Sequence, residues 1–110
     1  MVVNEERRKS KRIKKALPLE LNSEKGMLVD ISRGGLGISP KIIPVGETIY
    51  VKLKVNREVM KLQGKIKWII FKKTQLGACK IGFSISRAPE SYYQFVNSLQ
   101  QEAGQTGLKN

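Results

Sequence analysis

Apolar and polar residues alternate along most of the chain between residues 16 and 87, which is the pattern of half-buried β-strands. Segments rich in glycine, proline and asparagine separate the alternating runs and favour turns. The runs that this pattern predicts as strands are 17–21, 27–31, 35–39, 48–55, 59–71 and 79–85. We therefore predict an all-β fold built on a six-stranded antiparallel β-barrel.

The longest predicted strand, 59–71, carries apolar residues in one phase and mostly lysines in the other. Its predicted inward-facing residues are Met60, Leu62, Ile66, Trp68 and Ile70. Gly64 interrupts the apolar phase, so we expect a β-bulge there. In the last strand Cys79 shares the inward phase with Phe83, which predicts a small core residue rather than a reactive thiol.

The apolar period changes after residue 85. Pro89 suits the start of a helix, and helical spacing then relates Tyr92, Phe95, Val96 and Leu99. We predict one C-terminal helix that packs on or beside the barrel. The predicted organisation is a flexible basic arm over residues 1–15, the barrel with its helix over 16–103, and a frayed tail over 104–110.

A polar turn with three glycines separates two of the apolar runs, at residues 30–37. Asp30 offers acceptor oxygens, Ser32 offers a hydroxyl, and the glycine segment offers amide N–H groups that could face an anion. One interpretation is a ligand site for a molecule that is anionic in one part and rich in donors in another, such as a guanine nucleotide. The other is a hairpin turn in which Asp30 and Ser32 cap their own backbone.

Positive charge dominates the composition, with 21 lysines and arginines against 9 acidic residues and a formal net charge of +12. This excess attracts anions of several kinds, including nucleic acid, a membrane surface and a phosphorylated small ligand. The charge is densest in the predicted arm, which contains Arg7, Arg8 and Arg12. In an extended chain the Cα atoms of Arg8 and Arg12 stand about 13 Å apart, which is enough to straddle a dinucleotide.

The chain offers little support for catalysis or for a metal site. It contains no histidine, which is the commonest general base and metal ligand. Its single cysteine, Cys79, excludes an internal disulfide and cannot by itself make a zinc site. No apolar run approaches the roughly 20 residues that span a bilayer. We therefore expect a protein that is not an enzyme, inserts in no membrane and is cytoplasmic.

The order of these features resembles the PilZ family of bacterial receptors for the second messenger cyclic di-GMP. Arg8 and Arg12 match the family's Arg-x-x-x-Arg motif, while Asp30, Ser32 and Gly35 match its Asp/Asn-x-Ser-x-x-Gly motif. The segment 80–83 resembles a late strand that commonly carries a glycine and a phenylalanine. The resemblance covers roughly residues 7–100, nearly the whole chain.

This resemblance implies a PilZ-like barrel and a set of ligand contacts. The implied cyclic di-GMP contacts are Arg8, Arg12, Asp30, Ser32, Gly34 and Gly35, with Arg7 and Arg33 as minor contacts. Arginine matches guanine O6 and N7 with two donors and also pairs with phosphate, while a carboxylate suits the N–H groups of guanine. The resemblance implies no cofactor beyond this ligand. It implies an adaptor that changes conformation on binding and signals to an unidentified protein partner.

The alternative is a small basic β-barrel that binds nucleic acid through its outward lysines. Aromatic residues make up only 6% of the chain. We expect the core to claim Trp68, Phe83 and Phe95, which leaves few platforms for stacking bases. For this reason we favour the receptor over the nucleic-acid-binding protein.

Overall fold

The computed structural model describes residues 12–73, 77 and 79–108. It contains six strands, β1 (Ile13–Leu21), β2 (Glu24–Ile31), β3 (Gly35–Pro40), β4 (Ile49–Val55), β5 (Glu58–Phe71) and β6 (Cys79–Arg87), followed by helix α1 (Glu90–Leu108). The strands close into an antiparallel barrel in the order β1-β2-β3-β6-β5-β4. The predicted six-stranded barrel with one C-terminal helix is confirmed.

Two tight hairpins fix the register of the barrel. Asn22 and Ser23 connect β1 to β2 with φ of 47° and 74°, and Asn56 and Arg57 connect β4 to β5 with φ of 51° and 70°. Two-residue turns with positive φ at both positions match the right-handed twist of the strands they join. Asparagine tolerates this backbone region better than most residues do, which explains its place at the first position of both turns.

The inward phase of the strands and one face of α1 form a single core. Its strand residues include Leu21, Leu28, Ile38, Val51, Leu62, Ile81 and Phe83, and α1 contributes Tyr92, Val96 and Leu99. Cys79 is buried among them, as predicted. Phe95 packs against this core while remaining partly exposed. The predicted helical stripe is therefore the face of α1 that contacts the barrel.

The second half of β5 differs from its prediction. Met60 and Leu62 are buried as predicted, but Trp68 and Ile70 are 36% and 49% exposed, so the prediction that Trp68 lies in the core is wrong. The predicted bulge at Gly64 is present as a register shift, and a second shift follows between Ile66 and Trp68. The last pair that β5 forms with β4 is at Gly64. Ile66 still packs against the core, and the side chains from Trp68 to Phe71 are exposed.

The ends of the folded unit also differ from the sequence-based boundaries. β1 begins at Ile13, inside the segment assigned to the arm, and α1 continues to Leu108, beyond the predicted limit at residue 103.

Within the described part of the chain, no helix is long and apolar enough to cross a membrane. α1 lies across the barrel end that carries the β4–β5 turn, because Ser91, Phe95 and Ser98 line a surface pocket together with residues of that turn.

Candidate ligand-binding groove

The turn between β2 and β3 is closed by hydrogen bonds from Ser32. Its backbone N–H donates to the Gly35 carbonyl at 2.9 Å, and its hydroxyl exchanges hydrogen bonds of 3.2 Å with the N–H and carbonyl of Gly35. Ser32 is buried, whereas Arg33 and Gly34 at the tip are exposed. The hydroxyl of Ser32 therefore holds the turn in shape, which agrees with the self-capping interpretation for this residue.

Asp30 joins the two candidate motifs. Its Oδ1 accepts a hydrogen bond from Arg12 Nη1 at 2.6 Å, and its Oδ2 accepts one from Lys80 Nζ at 3.1 Å. The Asp30 side chain is only 14% exposed, whereas that of Arg12 is 46% exposed. The carboxylate is thus held between two cations, and the guanidinium of Arg12 keeps one side open to solvent.

A row of four paired residues runs across β2, β3, β6 and β5. This row explains how the side chains of Asp30 and Trp68 come to cover the same part of the sheet. Asp30 pairs with Gly37, Gly37 with Gly82, and Gly82 with Trp68. A Cβ atom at Gly37 would lie 2.5 Å from the Asp30 carboxylate, and one at Gly82 would lie 2.2 Å from the Trp68 indole. Because the two glycines have no side chains, the carboxylate of Asp30 lies over Gly37 and the indole of Trp68 lies over Gly82, each reaching in from an opposite side.

A groove of about 220 Å³ adjoins this row and is the candidate ligand site. Its lining includes Arg12, Ser32, Gly34, Gly35, Lys67 and Trp68, with the β6 segment 82–84 completing it. No atom lies within 4 Å of the position where a Cβ at Gly34 would stand, so the turn tip is open on that side. The groove thus offers two cations, an exposed indole face and an open glycine turn.

Sequence reasoning missed Trp68, which lines the groove, and Lys80, which contacts Asp30 and Trp68 beside it. Lys80 Nζ lies 5.9 Å from the centroid of the Trp68 ring, which is within the range of a cation–π contact. Glycines inside strands often mark a close approach of other groups, so Gly37 and Gly82 were the available signal for this site.

The same turn is attached to α1. The hydroxyl of Tyr92 donates a hydrogen bond to the Ser32 carbonyl, and burial raises the pKa of this phenol well above its usual range. Arg33 donates to Asn97 Oδ1 at 3.0 Å, and its guanidinium lies 5.2 Å from the centroid of the Tyr93 ring. Arg33 thus contacts the helix in this structure. Its predicted minor role in ligand binding stays a prediction.

The predicted site residues fall into two groups. The structure brings Arg12, Asp30, Ser32, Gly34 and Gly35 together around the groove or at its edge. Arg7 and Arg8 lie outside the described residues, and so does most of the predicted arm. Among the described residues, no group of three or more histidine, cysteine, aspartate or glutamate side chains could hold a metal ion.

Comparison with known proteins agrees with this architecture. A family model for the PilZ domain matches residues 6–99. The structure of Bacillus subtilis inhibitor of motility (MotI/DgrA) is similar, with a TM-score of 0.67 and 14% sequence identity; the match covers 94% of this chain and 52% of that one. This chain therefore spans about half the length of that protein. No curated protein sequence matches.

The fold is that of a small six-stranded β-barrel domain with a helix across one end. The chain belongs to the PilZ domain family, and the resemblance drawn from the two motifs is confirmed. Family membership supports a cyclic di-GMP-binding adaptor in general terms.

Proposed function

We propose that this protein is a cyclic di-GMP receptor in which the ligand bridges the N-terminal arm and the β2–β3 turn. The observation that carries the proposal is the contact between Arg12 and Asp30. These residues belong to the two separate candidate motifs, and their side chains meet at 2.6 Å beside the groove. This contact supports a single site to which both the arm motif and the turn motif contribute.

Ligand binding exchanges the partners of Asp30 and Arg12. Without ligand, each of these charges is neutralised by the other, and Lys80 holds the second carboxylate oxygen. A guanine edge offers N–H groups to Asp30, while its O6 and N7 accept two hydrogen bonds from an arginine. Because Arg12 is half exposed, breaking its ion pair costs only about 1 kcal/mol. New hydrogen bonds to the bases and phosphates of the ligand offset that cost.

The described groove supplies one wall of the proposed site. Its volume of about 220 Å³ is below the roughly 300–1,000 Å³ typical of pockets that enclose a drug-sized ligand. We propose that residues 4–11, which carry Arg8 and precede Arg12, supply the opposite wall once ligand is present. Ordering about eight residues costs on the order of 10 kcal/mol if they begin fully disordered. A ligand with two guanines and two phosphates suits this mechanism better than a single guanine.

The contacts between turn and helix provide a route from the ligand to a protein partner. Tyr92 holds the Ser32 carbonyl, and Arg33 holds Asn97 and stacks against Tyr93. A ligand that displaces the turn or attracts Arg33 changes these contacts and with them the position of α1. We propose that this change creates or hides the surface that the partner recognises.

Four alanine variants test the ligand site by titration calorimetry with cyclic di-GMP. Arg8→Ala, Arg12→Ala and Asp30→Ala should each weaken binding about tenfold or more, because a lost charge-assisted hydrogen bond costs about 1.5–3 kcal/mol. Lys52→Ala is the matched control, since Lys52 is an exposed cation on the outer phase of β4. Equal losses for Lys52→Ala and Arg12→Ala would contradict the site and favour binding by a general basic surface.

Nucleic-acid binding is the alternative function, and the exposure of Trp68 gives it one stacking platform that the sequence did not predict. The indole already lies over Gly82 and beside Lys80. A nucleic-acid interface should lose affinity steeply as salt increases, because phosphate contacts release counterions. Tight, salt-sensitive binding of oligonucleotides without cyclic di-GMP binding would favour this alternative.

A further inference from the structure

The outer half of β5 has one paired edge and one open edge. Residues 65–71 pair with β6, whereas the pairing of β5 with β4 ends at Gly64. Among the described residues, no other strand pairs with this part of β5. An open strand edge presents backbone N–H and C=O groups that can pair with another chain. We call residues 65–73 the β5 edge.

The β5 edge exposes four consecutive large apolar residues. Trp68, Ile69 and Ile70 are between 36% and 49% exposed, and Phe71 is 75% exposed. Single exposed apolar residues are ordinary on protein surfaces, but a continuous run on an open strand edge marks an interaction site. Burying these side chains beside a new strand would remove a large apolar area from water.

The charges around the run select the kind of partner. Lys65 and Lys67 precede the exposed end of the strand, and Lys72 and Lys73 follow it; all four are exposed. In a second copy paired antiparallel about Ile69, Lys65 of one chain would lie opposite Lys73 of the other, and like charges directly opposite are destabilising. The arm of this chain is equally basic and is disfavoured for the same reason.

A lipid surface is also a poorer occupant than a strand. Anionic lipid would satisfy the lysines, but insertion of the apolar run would leave the open backbone groups of β5 without hydrogen bonds. A partner strand satisfies those groups and buries the apolar side chains at the same time. Acidic residues on that strand would pair with the flanking lysines.

We propose that the β5 edge binds an extended, acidic segment of a partner protein by β-strand addition. The partner segment alternates apolar and acidic side chains, adds its backbone to residues 65–71, and places carboxylates near the flanking lysines. Lys67 and Trp68 of the β5 edge also line the candidate groove. Strand addition itself requires no cyclic di-GMP, so the proposal can be tested without ligand and can fail separately from the proposed function.

The test uses the ¹⁵N-labelled full chain and a short peptide, blocked at both ends, that alternates glutamate and valine. We expect amide shifts concentrated in residues 65–73 and slower hydrogen exchange at alternate amides of residues 65–71 when the peptide is added. A peptide with lysine in place of glutamate should not bind. No shifts with the acidic peptide, or shifts spread over lysines throughout the barrel, would overturn the proposal.

Substitutions separate strand addition from simple charge attraction. Phe71→Lys should weaken peptide binding about tenfold, because a large apolar contact is lost. If charge alone drives binding, the added lysine should strengthen it instead, which would overturn the proposal. Tyr50→Lys is the control, since Tyr50 is 56% exposed but its backbone is already hydrogen-bonded to Asn22. This variant should bind the acidic peptide as tightly as the unmodified chain does.

Vesicles of phosphatidylglycerol form the last arm of the test. Strand addition predicts that the vesicles leave the amide exchange of residues 65–71 unchanged. Vesicle binding that requires Phe71, in the absence of peptide binding, would overturn the proposal and assign the β5 edge to a membrane surface.

Discussion

Replacing Gly37 by alanine should break the Asp30 network without changing any residue of the two ligand motifs. The added Cβ would lie 2.5 Å from Asp30 Oδ1 and 2.8 Å from the other carboxylate atoms, closer than non-bonded atoms approach. The carboxylate must therefore rotate away from both Arg12 and Lys80. Gly34→Ala is the matched control, because a Cβ at Gly34 meets no atom within 4 Å and the turn needs no positive φ there.

The expected loss of stability follows from the contacts that Asp30 makes. Each of its two ion pairs is partly exposed and contributes about 1 kcal/mol. A side chain forced away from its preferred rotamer costs a further 0.5–1.5 kcal/mol or so. We therefore expect Gly37→Ala to lower the free energy of unfolding by about 2.5–3.5 kcal/mol. Gly34→Ala should change it by less than about 1 kcal/mol in either direction.

Urea unfolding followed by circular dichroism measures this difference, and the slope of the transition should be the same in both variants. A double-mutant cycle then assigns the cause. In an Asp30→Ala background the clash is removed, so Gly37→Ala should cost much less than it does in the original chain. Equal stability of Gly37→Ala and Gly34→Ala would refute the account of Asp30. So would an undiminished cost in the Asp30→Ala background.

The remaining predictions concern the turn, the helix and the arm. Tyr92→Phe leaves the Ser32 carbonyl without its donor and should cost about 1–3 kcal/mol in urea unfolding near neutral pH. Because burial raises the pKa of Tyr92, the stabilisation from its neutral hydroxyl is present below the usual tyrosine pKa near 10 and is lost as pH rises. Above that pH the free energy of unfolding of the wild type should fall by up to about 1.4 kcal/mol per pH unit relative to that of Tyr92→Phe. A parallel decline in both proteins would contradict this. Arg33→Ala should increase hydrogen exchange in α1 while the barrel strands stay protected; unchanged exchange would show that the turn does not hold the helix. Saturating cyclic di-GMP should slow amide exchange across residues 4–11, and unchanged exchange would contradict the proposed ordering of the arm.

The local alternation of apolar and polar residues was sufficient to predict most of the fold. The alternation in 48–55 and 79–85 predicted strands and their buried phase, because each of these strands has one face on the core throughout. The same logic was wrong for Trp68 and Ile70. Whether these two side chains face the core depends on a second register shift and on where the pairing with β4 ends. The sequence of β5 alone specifies neither.

Some residues of the candidate site could be predicted from the sequence, and others could not. The resemblance to the PilZ family implied that Arg12 and Asp30 contact one ligand, and their side chains do meet although the two residues are 18 apart in sequence. It did not include Trp68 or Lys80 among the ligand contacts, because Trp68 lines the groove through its pairing with Gly82, and Lys80 meets Asp30 only once β2, β3 and β6 are paired. The contact of Arg33 with Asn97 joins residues 64 apart and depends on where the helix packs.

Titration calorimetry of the unmodified protein with cyclic di-GMP tests the central claim most directly, with linear GMP dinucleotide and cyclic di-AMP as controls. Adenine presents a donor where guanine presents O6, so it cannot accept both hydrogen bonds from an arginine. We expect saturable binding of cyclic di-GMP, weaker binding of the linear dinucleotide and binding of cyclic di-AMP weakened about tenfold or more. Equal binding of the two cyclic dinucleotides, or no binding of either, would contradict the central claim.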